Sequence, residues 1–208
     1  MSEFKVTDRT KVKRGNQRAT YDTDTVYKII DDALVCHVGA KMADRPMVQP
    51  TIIWRINDKV YIHGSSKNGL FAALVKGEEA CITVTHLDGL VMARSSFHHS
   101  VNYRSVMIFS KATEITDESQ KLYVLNEMMK QITPDRFDGV REPNQQELKA
   151  TSVLQFDLTE VSAKVRTGPP VDDDEDLALP VWAGVIPVTT VMGNPIDDPL
   201  WLSNHGKK

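Results

Sequence analysis

Only two cysteines occur in the 208 residues, Cys36 and Cys81, and neither has the neighbouring cysteine that a metal or thiol-exchange motif requires. Each lies in an apolar run, "ALVCHVG" and "ACITVT", which predicts two buried, reduced thiols and a cytoplasmic protein rather than a disulfide framework. No apolar stretch approaches the roughly 20 residues of a membrane-spanning helix. The opening "MSEFKVTDRTKVKRGNQRATYD" lacks the apolar centre of a secretion signal. Charge of one sign is missing too. With 25 Lys and Arg against 28 Asp and Glu, the formal charge is -3, so no global field draws the chain to nucleic acid or an anionic membrane. Any anion site must come from a local cluster.

Other signatures are equally absent. His37, His63, His86 and His205 are scattered without ligand spacing. The adjacent His98 and His99 would point to opposite faces of a strand, so they cannot readily chelate one ion together, and no metal site is expected. The strands do not alternate with helices and no GxGxxG follows the first, which argues against a dinucleotide fold. There is no internal repeat and no domain linker.

What is present reads as short strands in close succession with few helices. A helix is expected near Asp24 to Asp32 with Val26, Ile29 and Ile30 on one face. Strands follow in "ALVCHVG", in "PMVQPTIIWRI" after a turn at "ADR", and in "KVYIHG" after the tight turn Asn57-Asp58. A short helix near Gly69 to Lys76 leads to "ACITVTHL", a "DG" turn, and a long stretch from Leu90 to Ala112. In "DESQKLYVLNEMMKQI", Asp117 can cap a helix whose stripe is Leu122, Leu125, Met128, Met129 and Ile132. A polar connection with a helical turn near Glu147, a strand "SVLQFDLTEVSAKV" and a closing "VWAGVIPVTTV" complete the pattern. It predicts a mainly β fold, a closed or split antiparallel barrel with helices packed outside. The expected organisation is a solvated, partly ordered N-terminal arm at 1–20, one domain at 21–193 and a surface tail at 194–208.

Two segments carry chemistry. In "VYIHGSSKNGLFAALVKG", small residues and one cation stand where a strand hands over to a helix. Ser65, Ser66 and Lys67 there can cradle a phosphate, because a helix start offers unpaired N–H groups and Lys67 adds a full charge. Equally, one serine can cap the helix while Lys67 stays solvated. In "RSSFHHSVNYRSVMIFSKA", alternation sets His98, Ser100, Asn102, Arg104 and Val106 against Val101, Tyr103, Ser105 and Met107. So much polarity in a strand needs a ligand or a second subunit to satisfy it.

Together "YIHGSSKNGL", "SFHHSVNYRSVMIFSKA" and "PVWAGVIPV" resemble the FMN-binding split β-barrel superfamily of pyridoxamine 5'-phosphate oxidase-like proteins, of antiparallel Greek-key type. The likeness runs from about Tyr21 to Val191 and is nearest to the flavin-nucleotide-binding branch that includes nitroimidazole-resistance proteins. The resemblance implies that Ser65, Ser66 and Lys67 hold the FMN phosphate and that Gln49, Pro50 and Thr51 border the flavin ring with their backbone. It also implies that Arg104 and Ser105 face flavin and that Trp182 reaches it from a partner subunit. A homodimer with flavin at its interface follows, and a redox reaction on a small substrate, with NADH or NADPH as a possible donor. The rival expectations are a non-enzymatic flavin carrier or sensor and, as a lesser alternative, a haem-binding barrel.

The oxidase proper has an arginine shortly after the C-terminal tryptophan and an Arg-Lys pair at the phosphate corner. This chain has Ile186 and Ser66-Lys67 instead, which argues against oxidation of pyridoxamine phosphate itself. His98, placed where the family has its pocket mouth, is either the candidate catalytic group, able to orient substrate or donate a proton, or a structural histidine at the dimer interface. Asp172 to Asp176 read as a solvated acidic loop. Lys164 and Arg166 either reach a cofactor or substrate phosphate or pair with that loop.

Overall fold

The structure, a computed structural model, describes residues 2–133 and 139–201; of the expected C-terminal tail, 202–208, with His205, lies outside the described residues. Alternating apolar positions fold the chain into ten antiparallel strands: Ala19–Thr20 (β1), Val35–Met42 (β2), Arg45–Ile56 (β3), Lys59–Ser65 (β4), Glu79–Met92 (β5), Ser100–Lys111 (β6), Thr113–Glu114 (β7), Thr151–Asp157 (β8), Glu160–Arg166 (β9) and Gly184–Pro187 (β10). They line up as β1-β9-β6-β5-β2-β3-β4-β8-β7, with β10 paired to the far end of β5. Four helices, Thr23–Asp31 (α1), Gly69–Val75 (α2), Glu118–Ile132 (α3) and Gln145–Ala150 (α4), pack against this curved sheet. Among the described residues no helix is long and apolar enough to cross a membrane.

Two cores result. Val26, Ile29 and Ile30 of α1 and Leu70, Phe71 and Leu74 of α2 fill the inside of the sheet against Val38, Ile53, Ile62, Ile82 and Ile108. Each such fully buried aliphatic or aromatic side chain contributes about 1.5–3 kcal/mol. A second cluster, Trp54, Tyr61, Ile115, Val124, Met128 and Val153, lies under α3 on the other face of β3, β4 and β8. The helix caps have the expected chemistry: Asp22 accepts from Thr25 N, Asp117 from Gln120 N, and Asn144 and Glu147 form a reciprocal capping box. The β3–β4 turn is two residues long, with Asn57 at φ 56°, a left-handed conformation that asparagine tolerates.

Three expectations are corrected. The "DG" at Asp88-Gly89 does not end a strand: β5 runs through it with a bulge, the register slipping between Leu87 and Gly89. A side chain at Gly89 would sit 2.9 Å from Val185 Cγ1 and 3.1 Å from Ile186 O, so the glycine lets β10 approach. "SVLQFDLTEVSAKV" forms two strands, β8 and β9, rather than one. The N-terminal arm is mostly exposed, with a few ties to the barrel: Thr10 is buried and accepts through its carbonyl from Tyr21 Oη at 2.8 Å, and Arg9 pairs with Glu79 and Glu160. In the acidic loop Asp173, Asp174 and Glu175 are exposed as expected, but Asp172 is anchored. Asp172, its side chain 1% exposed, accepts from Arg94 N and Nη1 at 2.8 and 2.9 Å.

Candidate functional site

The feature that positions the candidate site is a change of partner along β3. From Arg45 to Ile52 it pairs with β2, but β4 joins its other edge only from Ile53 to Ile56, opposite Lys59–Ile62. Beyond that point β4 keeps β8 as its neighbour, with His63, Gly64 and Ser65 opposite Val153, Ser152 and Thr151. The sheet therefore splits, and the β3 edge at Met47–Ile52 faces the end of β4 and the start of α2 across a gap. Its backbone groups on that side are available to a ligand, because unpaired strand edges are strong hydrogen-bonding templates.

Side chains pin the two lips of the split. Thr51 Oγ1 donates to His63 O at 3.2 Å, and Asn68 Nδ2 donates to Gln49 Oε1 at 3.1 Å. Asn68 is also the N-cap of α2, its Oδ1 accepting from Leu70 N and Phe71 N at 2.9 and 3.3 Å. The cap is thus Asn68 rather than Ser65 or Ser66, since a cap must directly precede the first helical residue. Ser65 instead shapes the corner: its Oγ accepts from Lys67 N at 3.2 Å and its carbonyl from Asn68 N at 2.9 Å. Ser66 N donates to Ala150 O at 2.9 Å, tying the corner to the end of α4. A Cβ at Gly64 would meet the Phe71 ring at 3.1 Å, so this glycine allows α2 to pack close behind. The result is an ordered corner with Ser65, Ser66 and Lys67 exposed, and no ion pair occupies Lys67 among the described residues.

The remaining predicted residues lie elsewhere in the protomer. Gly69 at the corner packs near Met42, at one end of β2, whereas Arg104 reaches Asp32, just before its other end. An eight-residue strand spans about 25 Å, so one protomer does not bring Arg104 to Lys67. Arg104 is engaged by carboxylates: Nε and Nη2 donate to Asp88 at 3.0 Å each, and Nη1 to Asp32 at 2.7 Å. The Asp88 hydrogen bonds hold this guanidinium above its ordinary pKa range, against the opposing effect of burial. Ser105 points to the opposite, outer face of the sheet, where it pairs with Thr85 and Lys164. Arg104 and Ser105 therefore cannot face one ligand from the same side.

His98 and Trp182 sit at that same far end. His98 Nε2 is 3.1 Å from Asp173 Oδ2, and Trp182 is 64% exposed beside Gly184 at the start of β10. Sequence reasoning missed two groups near the split. Asn68 joins both lips, and its signal was the asparagine directly before a helical run. His63 is mostly buried edge-on to Trp54, with Nδ1 buried and unpartnered. Burial lowers its pKa, so the imidazole is neutral at pH 7. The outer sheet face also carries an open cleft of about 730 Å³, shared with Met47 and Val48 of the split strand and floored by Gly39, Cys81 and Phe109.

The family model of pyridoxamine 5'-phosphate oxidase matches residues 22–165. The solved structure of the flavocytochrome Anf3 from Azotobacter vinelandii is 44% identical, over 93% of this chain and 90% of that one, with a TM-score of 0.89. The FAD and heme binding protein from Mycobacterium smegmatis is 33% identical over 88% and 89%, with a TM-score of 0.84. A candidate 5-nitroimidazole antibiotic resistance protein from Bacteroides thetaiotaomicron shares the fold, at 24% identity over 71% and 86% and a TM-score of 0.60. Among curated proteins none matches.

Proposed function

The chain belongs to the pyridoxamine 5'-phosphate oxidase family, and from that premise we propose that it is a flavin-dependent oxidoreductase acting on a small substrate. The observation that carries this is the split: an unpaired β3 edge facing an ordered corner whose lysine has no ion pair among the described residues. Lys67 and the hydroxyl of Ser66 would hold the flavin phosphate, and the backbone at Gln49, Pro50 and Thr51 would border the ring. The bound flavin supplies the redox chemistry, passing electrons from a reduced nicotinamide to a small acceptor. FMN is the least that such a corner requires; the M. smegmatis relative is described with FAD, which contains the same ring, ribityl chain and phosphate.

The site is completed in a homodimer. Phe97, Val101, Leu177, Val181, Trp182 and Ile186 are all exposed in the protomer, Phe97 by 87%, and apolar area of that kind asks for a covering surface. A second copy would bring Ser105, His98 and Trp182 of the partner subunit toward the corner that its own protomer places far away. His98, held by Asp173, would then orient substrate or deliver a proton. Ile186, half-exposed where the oxidase proper carries an arginine, leaves pyridoxamine phosphate without an anion partner there, so that substrate is not the one proposed. Placement in the cytoplasm is supported by two free thiols, with burial pushing Cys36 up to about 12.

Haem is a second reading, favoured by the flavocytochrome and the FAD and heme binding protein. In this chain His37 stands exposed on the outer sheet face, with no hydrogen-bond partner among the described residues. Val35, Val48 and Met107, all more than 40% exposed, share that face around it. A free imidazole on an apolar surface is what an iron porphyrin would use. The visible spectrum of the purified protein decides between the readings. Flavin bands alone support the first, flavin bands with a Soret band the second, and a colourless protein that takes up neither group contradicts both. NADH or NADPH oxidation with an added acceptor separates an oxidoreductase from a flavin carrier.

A further inference from the structure

Another margin of the sheet holds cations that have no ion pair among the described residues. Arg166, at the end of β9, is 9% exposed, and among the described residues its guanidinium donates to neutral acceptors, Nη1 to Asn102 Oδ1 and Nη2 to Pro169 O at 3.4 Å. Burial and then the nearby charge of Arg18 lower its pKa. Ala19 pairs with Lys164, whose Nζ donates to Arg14 O at 3.2 Å, which brings a third cation to the same margin. Among the described residues no ion pair includes Arg14, Arg18, Lys164 or Arg166. Arg9, Arg55, Arg94, Arg104 and Arg141 each have a carboxylate. Neither does the acidic loop answer these charges, since Asp172 and Asp173 are taken by Arg94 and His98. A guanidinium buried beside another cation is costly unless an anion completes the site.

We propose that Arg166 and Arg18, with Lys164 beside them, form a second anion subsite that takes the diphosphate of a nucleotide. Guanidinium groups fork onto phosphate oxygens, and a buried arginine already oriented by Asn102 loses little freedom in doing so. A carboxylate would answer one of the three charges, whereas a diphosphate answers at least two. Ser105 lies beside Lys164 on the outer face, its Oγ donating to Lys164 O at 3.5 Å, so the subsite adjoins the strand expected to face flavin. The diphosphate has two sources, a flavin dinucleotide or a nicotinamide dinucleotide, which share an ADP portion. The subsite rests on the flavin reading only for why such a nucleotide is present.

ADP is therefore the probe. Titrated calorimetrically into the full-length protein, it should bind, more weakly as salt is raised. Arg166→Gln should weaken it roughly tenfold or more, as for a lost charged hydrogen bond, and Arg18→Gln by a smaller factor. Arg18 makes no side-chain hydrogen bond among the described residues, so its variant tests the subsite even where Arg166→Gln fails to fold. The source is the dinucleotide, FAD or NADPH, whose affinity falls in the same variants while that of FMN does not. Lys67→Ala should spare ADP, and a protein that binds ADP but not FMN would retain the subsite and lose the flavin reading. Absence of ADP binding at millimolar concentration, or wild-type affinity in both arginine variants, overturns the proposal.

Discussion

The two ends of the barrel treat their cations differently. At the α1 end Arg104 lies between Asp32 and Asp88, and Arg94 is clamped by Asp172. At the split end Lys67 stands exposed beside two hydroxyls, with no ion pair among the described residues. The chain has acidic residues enough to neutralise its basic ones, yet among the described residues carboxylates answer Arg94 and Arg104 while Lys67, Arg18 and Arg166 have no ion pair. A cation already answered within the fold holds the fold together. One left unanswered in an ordered corner is free for a ligand's anion.

Substitutions can break that contrast. Lys67→Ala should have the largest effect, weakening flavin binding by about 1.5–3 kcal/mol, the value of a charged hydrogen bond, while the urea midpoint of the flavin-free protein stays put. Arg104→Met should do the reverse within one protomer, costing about 1–2 kcal/mol of stability because two carboxylates are left facing each other in a partly exposed site. Its pH dependence has a definite sign. Burial raises the Asp32 pKa, but hydrogen bonding to Arg104 and the charges of Lys28 and Arg104 outweigh it, and the net shift is downward. A carboxyl lowered in the folded state stabilises above its unfolded value of about 3.9, and that contribution is lost as pH falls through the folded value. The stability gap between wild type and Arg104→Met should therefore close as the pH drops below about 4, which denaturation at stepped pH measures.

Asn68→Ala falls between the two ends in kind. It removes the cap of α2 and the bridge to Gln49, so it should cost about 1 kcal/mol of stability and loosen flavin as well, read from parallel thermal and binding curves. The smallest binding effect belongs to His98→Ala, which should leave flavin content unchanged and slow turnover with NADH or NADPH. Unchanged turnover would leave His98 as a partner of Asp173 and nothing more.

Much of the fold was legible because local chemistry and final structure agree. The stripe of α1, the Asn57-Asp58 turn and the Asp117 cap each depend on residues close in the chain. The split was not, because alternation along "PMVQPTIIWRI" says which residues share a face but not where β3 exchanges one neighbour for none. The position of Arg104 was hidden for a similar reason: its carboxylates come from α1 and β5, 72 and 16 residues away. Asp172 looked like part of a solvated acidic run because nothing local reveals that Arg94 waits for it across 78 residues. The serines of the corner drew attention as caps, yet Asn68 took that role through its place directly before Gly69.

The most direct measurement compares the affinities of FMN and riboflavin, which differ only in the phosphate, for the wild-type protein and Lys67→Ala. Wild type should hold FMN far more tightly, and the substitution should erase most of that preference while barely touching riboflavin. Equal affinity of the wild-type protein for both flavins would mean that the corner before α2 does not hold the phosphate.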